Sequence, residues 1–136
     1  MNEIRTIIRV RDIMRTDFGT IDGIATVDEA LRTMKRLKTS VLLVNRRHED
    51  DEYGLITSAD IARHVLARDR SPERVNVYEV MEKPVITIHP DMDIRYCSRL
   101  FARYSLVRAP VIENRVAIGM VSPNSLVLDG LYQLLK

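Results

Sequence analysis

Apolar and polar residues follow one another along this chain in an order that predicts short strands and helices in turn. An apolar strand is expected at residues 19–22, ahead of a helix whose apolar residues recur at helical spacing. Residues 41–44 form an apolar, β-branched run typical of a buried strand, and residues 53–56 are expected to form the returning strand. A second helix is predicted from about residue 58 to residue 68. The first half therefore has the predicted order β-α-β-β-α.

The ends and faces of these elements are also marked in the sequence. Thr26 is expected to cap the first helix, because its hydroxyl can accept a hydrogen bond from a backbone N–H of the first turn. Residues 45–52 are charged and contain no apolar residue, which predicts a hairpin loop. The predicted buried face of the first helix consists of Val27, Ala30, Leu31, Met34 and Leu37.

The second half repeats this order. A first strand is expected at residues 86–88, a helix capped by Asp93 follows, and two strands are expected near residues 107–112 and 116–121. Pro123 stands where the first turn of the last helix tolerates a missing N–H. The apolar residues of the predicted long helix are Ile94, Cys97, Phe101 and Tyr104.

Two pairs of segments show that the halves are copies of one another. Residues 10–14 match residues 77–81, an offset of 67 positions, in the order apolar, polar, acidic, apolar, Met. After a shorter loop the offset becomes 65, and residues 54–57 match residues 119–122. The duplication predicts an α+β fold with an approximate internal two-fold axis and clefts where the copies meet.

The expected boundaries follow from this alignment. Residues 1–68 are the first repeat with its N-terminal lead segment, residues 69–76 are a polar linker, and residues 77–136 are the second repeat with the C-terminal helix.

Composition narrows the class of protein. The 136 residues are 46% hydrophobic and 29% charged, as in globular proteins, and a net charge of +2 is too small to indicate nucleic-acid binding by itself. A single cysteine, Cys97, excludes an internal disulfide and is interpreted as a small buried apolar residue. Arginines interrupt the N-terminal apolar residues, and no apolar run could span a bilayer, so a cytoplasmic location is expected.

The order and spacing of several short motifs resemble the CBS domain. These motifs are an acidic-apolar-Met entry at residues 12–14, Asp-Glu-Ala-Leu at residues 28–31, and Gly-Leu-Ile-Thr-Ser-Ala-Asp at residues 54–60. The second copy adds Ala-Pro-Val-Ile at residues 109–112 and Gly-Met-Val-Ser at residues 119–122. The resemblance implies a Bateman module, a tandem pair whose clefts commonly bind adenine-containing ligands and whose chains often associate as dimers.

Thr57 and Asp60 are the strongest candidates for contacts with such a ligand. One carboxylate can accept both vicinal hydroxyls of a ribose, and a hydroxyl at a helix N-terminus suits a phosphate. Their spacing is also that of a capping box, which satisfies a helix end without any ligand. The family resemblance favours the ligand role, and both roles can hold together.

The second copy departs from this pattern. Ser122 keeps the hydroxyl, but Ser125 stands where the first copy has Asp60, so the second cleft is expected to be degenerate and Ser122 to cap the last helix. Arg108 resembles the arginines with which family members meet nucleotide phosphates. The alternative for Arg108 is a salt bridge to a carboxylate such as Asp60 or Glu113, or simple exposure.

Further residues complete the predicted cleft. The resemblance implies adenine recognition on the first strand of a repeat, by Thr20 and Ile21 or by Thr87 and Ile88, with Val41 and Leu42 as apolar walls. For each of these the alternative is plain sheet core. His64 follows Asp60 by four residues and could touch a phosphate or a base, although surface or packing roles are commoner for such a residue. The histidines His48, His64 and His89 show no metal-ligand spacing.

These observations predict a regulatory module rather than an enzyme, because no phosphate loop, nucleophile turn or acid–base pair is present in the sequence. The expected ligand is AMP, ADP, ATP or S-adenosylmethionine, and the expected partners are a second copy of the chain and an unidentified effector protein.

Two alternatives stay open. The first is a ligand-free dimerisation module, favoured by the leucine-rich last helix, which carries Leu126, Leu128, Leu131, Leu134 and Leu135. The second is nucleic-acid binding through Arg5, Arg9, Arg11 and Arg15, for which no recognition helix or aromatic platform is present.

Overall fold

The computed structural model describes residues 6–135, and its helices and strands follow the predicted order except for the first strand of the second half. The helices are α1 (Val10–Ile13), α2 (Val27–Leu37), α3 (Ser58–Ile61) and α4 (Ile94–Tyr104). The strands are β1 (Thr20–Ile21), β2 (Val41–Val44), β3 (Gly54–Thr57), β4 (Ala109–Glu113) and β5 (Val116–Val121). A π-helical turn, Ala62–Leu66, continues α3, and shorter 3₁₀ turns cover Pro72–Arg74 and Val77–Glu79. The chain ends in a C-terminal helical segment that is π-helical over Ser125–Gly130 and 3₁₀ over Leu131–Leu135.

The two long helices begin and end in the same way. The Thr26 hydroxyl accepts from the Glu29 N–H at 3.1 Å, and the Asp93 carboxylate accepts from the Arg95 N–H at 2.8 Å, which confirms both predicted caps. Each helix ends at a non-glycine residue in the left-handed conformation, Lys38 with φ 54° and Ser105 with φ 53°. These two residues lie 67 positions apart, so the duplication extends to the backbone geometry.

Two predicted features of the apolar pattern are wrong. Leu37, placed on the buried face of α2, is 47% exposed because it lies at the last turn, where the helix leaves the core. The predicted strand at residues 86–88 is reduced to one parallel bridge, between Ile88 and Val111.

Three strands form one sheet and two form another. β1 pairs in parallel with β2, and β2 pairs antiparallel with β3, so that Val41 lies opposite Thr57 and Val44 lies opposite Gly54. β4 pairs antiparallel with β5, with an irregular register between Val111 and Ile112.

The described chain divides into two compact units that are not the same as the two sequence repeats. The first unit is residues 18–85, and the second unit is residues 6–17 together with 86–135. The segment that leads into each repeat therefore packs in the unit formed by the other repeat. Residues 1–5 and 136, which the predicted repeats include, lie outside the described part of the chain.

The lead segments are held by equivalent backbone bridges. In the first unit Glu82 and Leu55 exchange N–H···O bonds of 2.8 and 3.0 Å, and in the second unit Arg15 and Met120 exchange two of 2.9 Å. Arg15 and Glu82 are related by the offset of 67, and Leu55 and Met120 by the offset of 65. Each unit thus completes its sheet with a segment from the other repeat.

Each unit has its own apolar core. In the first unit α2 packs on Leu42, Val44 and Ile56, and in the second unit α4 packs on Val111 and Val121. The intervening residues Val41, Leu43 and Leu55 are 7%, 1% and 4% exposed but lie outside that core, as expected for the opposite face of a sheet.

Candidate functional site

Thr57 and Asp60 lie where β3 runs into α3. The Asp60 Oδ2 accepts from the Thr57 N–H at 3.0 Å and from the Thr57 hydroxyl at 2.9 Å. The Thr57 Oγ1 in turn accepts from the Asp60 N–H at 3.1 Å. The capping-box interpretation is confirmed, since the two side chains satisfy each other's backbone groups at the helix N-terminus.

The capping box uses one of the two carboxylate oxygens. Asp60 is 3% exposed, yet no donor among residues 6–135 reaches its Oδ1. Since no buried side-chain oxygen or nitrogen in that part of the chain lacks a partner, Oδ1 must keep contact with solvent. Asp60 can therefore cap the helix through Oδ2 and still accept a ligand hydroxyl through Oδ1.

The corresponding position in the second unit is built from two serines. The Ser125 N–H donates to the Ser122 Oγ at 3.4 Å, and the two hydroxyl oxygens lie 3.3 Å apart. Ser122 and Ser125 are 8% and 4% exposed. Ser122 therefore caps the last helix, as predicted. The N-terminus of this helix has no carboxylate at the position equivalent to Asp60.

Arg108 lies directly before β4, which begins at Ala109, and not on the strand where the sequence placed it. It is half-buried, and no carboxylate within residues 6–135 pairs with its guanidinium. Glu113, one of the two acids considered as its partner, is held by Arg11 instead. Asp60 belongs to the first unit and Arg108 to the second.

The predicted adenine contacts differ in environment. Thr20 is exposed and lies opposite Leu43 in the parallel pair, and Ile21 is half-buried against the core. Val41 lies opposite Thr57, so the structure brings Val41, Thr57 and Asp60 to one end of the sheet. Leu42 is fully buried in the core, which agrees with the alternative of plain sheet core.

The side chains of two further predicted contacts make no hydrogen bond or ion pair within the described chain. Thr87 is exposed and precedes the bridging residue Ile88. His64 is half-buried in the π-helical turn that continues α3. That turn is wider than an α-helix, so the spacing of four residues does not by itself place His64 beside Asp60.

Other chemistry has little support in residues 6–135. No group of three or more His, Cys, Asp or Glu side chains is arranged to hold a metal ion there. Cys97 is fully buried, and burial raises the pKa of its thiol to about 11, so it is interpreted as unreactive. Within the same residues no helix is long and apolar enough to cross a membrane.

The N-terminal arginines are engaged by the protein itself. Arg11 bridges Asp91 and Glu113, Arg9 donates to the Asp91 carbonyl, and Arg15 pairs with Asp17. Arg5, also considered for nucleic-acid binding, lies outside the described residues. These contacts disfavour an arginine patch for nucleic acid.

A cavity of about 750 Å³ in the first unit was not predicted. Its lining comes from three separated segments, after β1, after β2 and around residue 81. The sequence gives one signal for it, the charged loop at residues 45–52, which by itself predicts only a hairpin.

Comparisons with known proteins agree with the repeats. The family model described as CBS domain matches residues 10–67 and 77–128. The CBS domain-containing protein YhcV of Bacillus subtilis is 27% identical over 120 residues, covering 88% of this chain and 84% of the relative. An uncharacterised protein of Methanopyrus kandleri is 28% identical over 117 residues, and the match covers 85% of this chain but only 59% of that relative.

Two solved structures show the same fold. A hexameric CBS-CP12 protein from bloom-forming cyanobacteria has a TM-score of 0.88 and 35% identity, covering 94% of this chain and 74% of that one. A CBS domain pair solved in complex with 5-methylthioadenosine and S-adenosyl-L-methionine has a TM-score of 0.79 and 25% identity, covering 96% of this chain and 100% of that one.

Proposed function

Since the chain belongs to the CBS domain family, we propose that it is a regulatory module that binds an adenine nucleotide or another adenosine derivative and signals to a partner protein in trans. AMP, ADP, ATP and S-adenosylmethionine all carry the adenosine group that such a site would recognise. A CBS pair of the same fold has been solved with two adenosine derivatives, which supports this ligand class.

The observation that carries the proposal is the Oδ1 of Asp60, to which no group among residues 6–135 donates a hydrogen bond. A capping box alone needs one acceptor oxygen, and Oδ2 already serves it. Both oxygens of a carboxylate can accept hydrogen bonds, and bonds to an ionised acceptor are about twice as strong as neutral ones. Asp60 would therefore accept the ribose hydroxyls through Oδ1, with Val41 beside it as an apolar wall.

The other residues predicted to contact the ligand have supporting roles in this proposal. Arg108, which belongs to the second unit, remains a predicted phosphate contact; it is half-buried, and no carboxylate in the described chain pairs with it. Thr57 would contribute its hydroxyl. Thr20, Ile21, His64 and Thr87 remain predicted ligand contacts. The serine pair of the second unit lacks the carboxylate, so one competent site per chain is proposed.

A thermal-shift panel of AMP, ADP, ATP, S-adenosylmethionine and NADH tests this function. A ligand at about a hundred times its dissociation constant is expected to stabilise the folded chain by about 2.7 kcal/mol. Asp60→Asn keeps an oxygen for the cap but removes the charge, and is expected to lose this shift.

Asp12→Asn is the matched control. The Asp12 carboxylate accepts from the Arg9 N–H at 2.9 Å, three positions away, so it has the same reach-back geometry in the other unit. It should keep the full ligand shift. A shift that survives in Asp60→Asn would disprove the site, and no shift with any ligand would disprove the function.

A ligand-free dimerisation module is the second candidate. The C-terminal helical segment exposes Leu128, Leu131 and Leu135 by 65%, 50% and 74%, which offers apolar surface to a second chain. A relative of the same fold is hexameric, which supports association without identifying its geometry. An effector protein, a cytoplasmic location and the absence of catalysis remain predictions.

A further inference from the structure

The unpredicted cavity lies in the first unit, at the end of the sheet opposite to Asp60. Val44 and the loop that follows it line the cavity, and Val44 pairs with Gly54, whereas Val41 pairs with Thr57 at the other end of β2. A volume of about 750 Å³ falls in the range of small-molecule sites. The cavity therefore lies away from Val41, Thr57 and Asp60. Ile21, a further predicted ligand contact, pairs with the cavity-lining Val44 and adjoins the cavity.

Large apolar side chains form one part of its wall. Ile24 and Tyr78 are 80% and 57% exposed, and the half-buried Met81 lies beside them in the lining. Apolar surface of this kind gains free energy when a ligand removes it from water. The wall therefore suits an apolar or aromatic group.

Three cations form the other part. Lys83 Nζ and Arg47 Nε both donate to the Asp51 Oδ2, at 2.8 and 3.1 Å, so two positive charges share one carboxylate. The Arg46 guanidinium donates to the Glu49 carbonyl at 3.0 Å and stacks over the Tyr53 ring at 5.0 Å. Neither of these Arg46 contacts removes its charge.

The acid in the lining, Asp22, does not offset this excess. Its carboxylate accepts from the Asn45 side-chain amide at 2.9 Å, and together with Asp51 it sets two negative charges against the three cations, which leaves one net positive charge. The contacts of Arg46 and Lys83 also hold both side chains in place before any ligand arrives. Pre-ordered side chains lose less entropy on binding.

We propose that this cavity is a second ligand site, for a small organic anion whose carboxylate, sulfonate or phosphate group is attached to an apolar or aromatic body. The cations Arg46 and Lys83 would meet the acidic group, and Ile24, Tyr78 and Met81 would cover the apolar body. This site is independent of the proposed adenosine site.

The probe for this site is 8-anilinonaphthalene-1-sulfonate, an aromatic anion whose fluorescence rises in apolar surroundings. We expect it to bind the full chain, and Arg46→Gln to weaken binding about tenfold, since it removes a charge-assisted contact. Arg99→Gln is the matched control, because Arg99 stacks over Tyr96 at 5.1 Å in the second unit. It should change the dissociation constant less than twofold.

Two further binding experiments test whether the anionic group is required and whether the cavity is distinct from the adenosine site. The uncharged analogue N-phenyl-1-naphthylamine should bind at least about tenfold more weakly, since it lacks the anion. Asp60→Asn, and saturating AMP added to the wild type, should leave binding of the sulfonate unchanged. Equal weakening in Arg46→Gln and Arg99→Gln, equal affinity for the uncharged analogue, or displacement by AMP would overturn the proposal.

Discussion

Asp51 and Asp60 are two largely buried carboxylates of the first unit that differ in their partners. Asp51 Oδ2 accepts from Lys83 Nζ and from the backbone and side chain of Arg47, so its charge is compensated by cations. Asp60 accepts from an N–H and a hydroxyl, and its charge is not compensated by these contacts. At the scale of single residues, Asp51 is therefore expected to stabilise the fold, and Asp60 is expected to bind a ligand.

The Asp51 carboxylate should make the stability of the folded chain depend on pH in the acidic range. The hydrogen bond from Lys83, followed by those from Arg47, holds the pKa of Asp51 well below its ordinary value. A lowered folded-state pKa contributes stability that is present above the unfolded pKa, about 3.9, and is lost as the pH falls through the folded value. Asp51→Asn should therefore lower the Tm at pH 7, and the difference should shrink below about pH 4.

Asp17→Asn is the control for this prediction. Asp17 also pairs with an arginine, Arg15, at 3.1 Å, but its side chain is 72% exposed. Exposed ion pairs contribute little, so its Tm at pH 7 should stay close to that of the wild type. Thermal unfolding followed by circular dichroism measures the Tm of both variants. An equal decrease in Tm would show that the ion pairs of Asp51 stabilise the fold no more than the exposed pair of Asp17.

At the scale of the elements, the repeated glycine and methionine have a common packing role. A Cβ at Gly54 would lie 2.9 Å from the Glu82 carbonyl oxygen and 3.1 Å from Met81 Sδ. A Cβ at Gly119 would lie 2.5 Å from Met14 Sδ and 3.2 Å from the Arg15 carbonyl oxygen. In both units the strand glycine makes room for the lead segment of the other repeat.

The atoms that an added Cβ would meet differ between Gly54 and Gly119, so the two alanine substitutions should differ in their cost to stability. Gly54→Ala meets backbone and should destabilise the chain by about 1–3 kcal/mol, as overpacking commonly does. Gly119→Ala first meets the flexible end of a methionine, which can move, and should cost less. Chemical denaturation of both variants measures the ranking.

Gly23→Ala is the matched control. A Cβ there would meet Tyr78 and Val44 at 3.6 and 3.7 Å, which is ordinary contact, and its φ is not positive. Its stability should be unchanged or raised by about 0.4–1 kcal/mol, because alanine restricts the unfolded chain. A loss at Gly23 as large as at Gly54 would contradict the packing role.

At the scale of the whole molecule, the exposed leucines of the C-terminal helical segment predict self-association. Leu128→Glu combined with Leu131→Glu places two charges on that surface and should reduce the mass of the wild-type assembly. Charged residues are depleted from the cores of protein interfaces, which is the physical reason. Size-exclusion chromatography with light scattering gives the mass directly.

Ile24→Glu is the control for association. Ile24 is 80% exposed and lies in a loop of the first unit, so the substitution adds a charge at an exposed apolar residue elsewhere. Its mass should equal that of the wild type. A monomeric wild type, or an unchanged mass in the double variant, would show that these leucines do not hold chains together.

The sequence alone determined the order of elements, the duplication and the caps at Thr26, Thr57 and Asp93, because periodicity and capping are local properties of neighbouring residues. It also identified Asp60 as a candidate, since a carboxylate at a helix start is visible in the printed residues. The local pattern failed at Leu37, where helical spacing continues beyond the residues that pack in the core.

Only the tertiary structure showed that each lead segment packs in the unit of the other repeat, because backbone bridges such as that between Arg15 and Met120 join residues far apart in the chain. It also decided which oxygen of Asp60 is already used, and it assembled the cavity from separated loops. Such features depend on which surfaces from distant parts of the chain meet. A sequence pattern indicates which residues could be buried, but it does not identify the residues that pack against them.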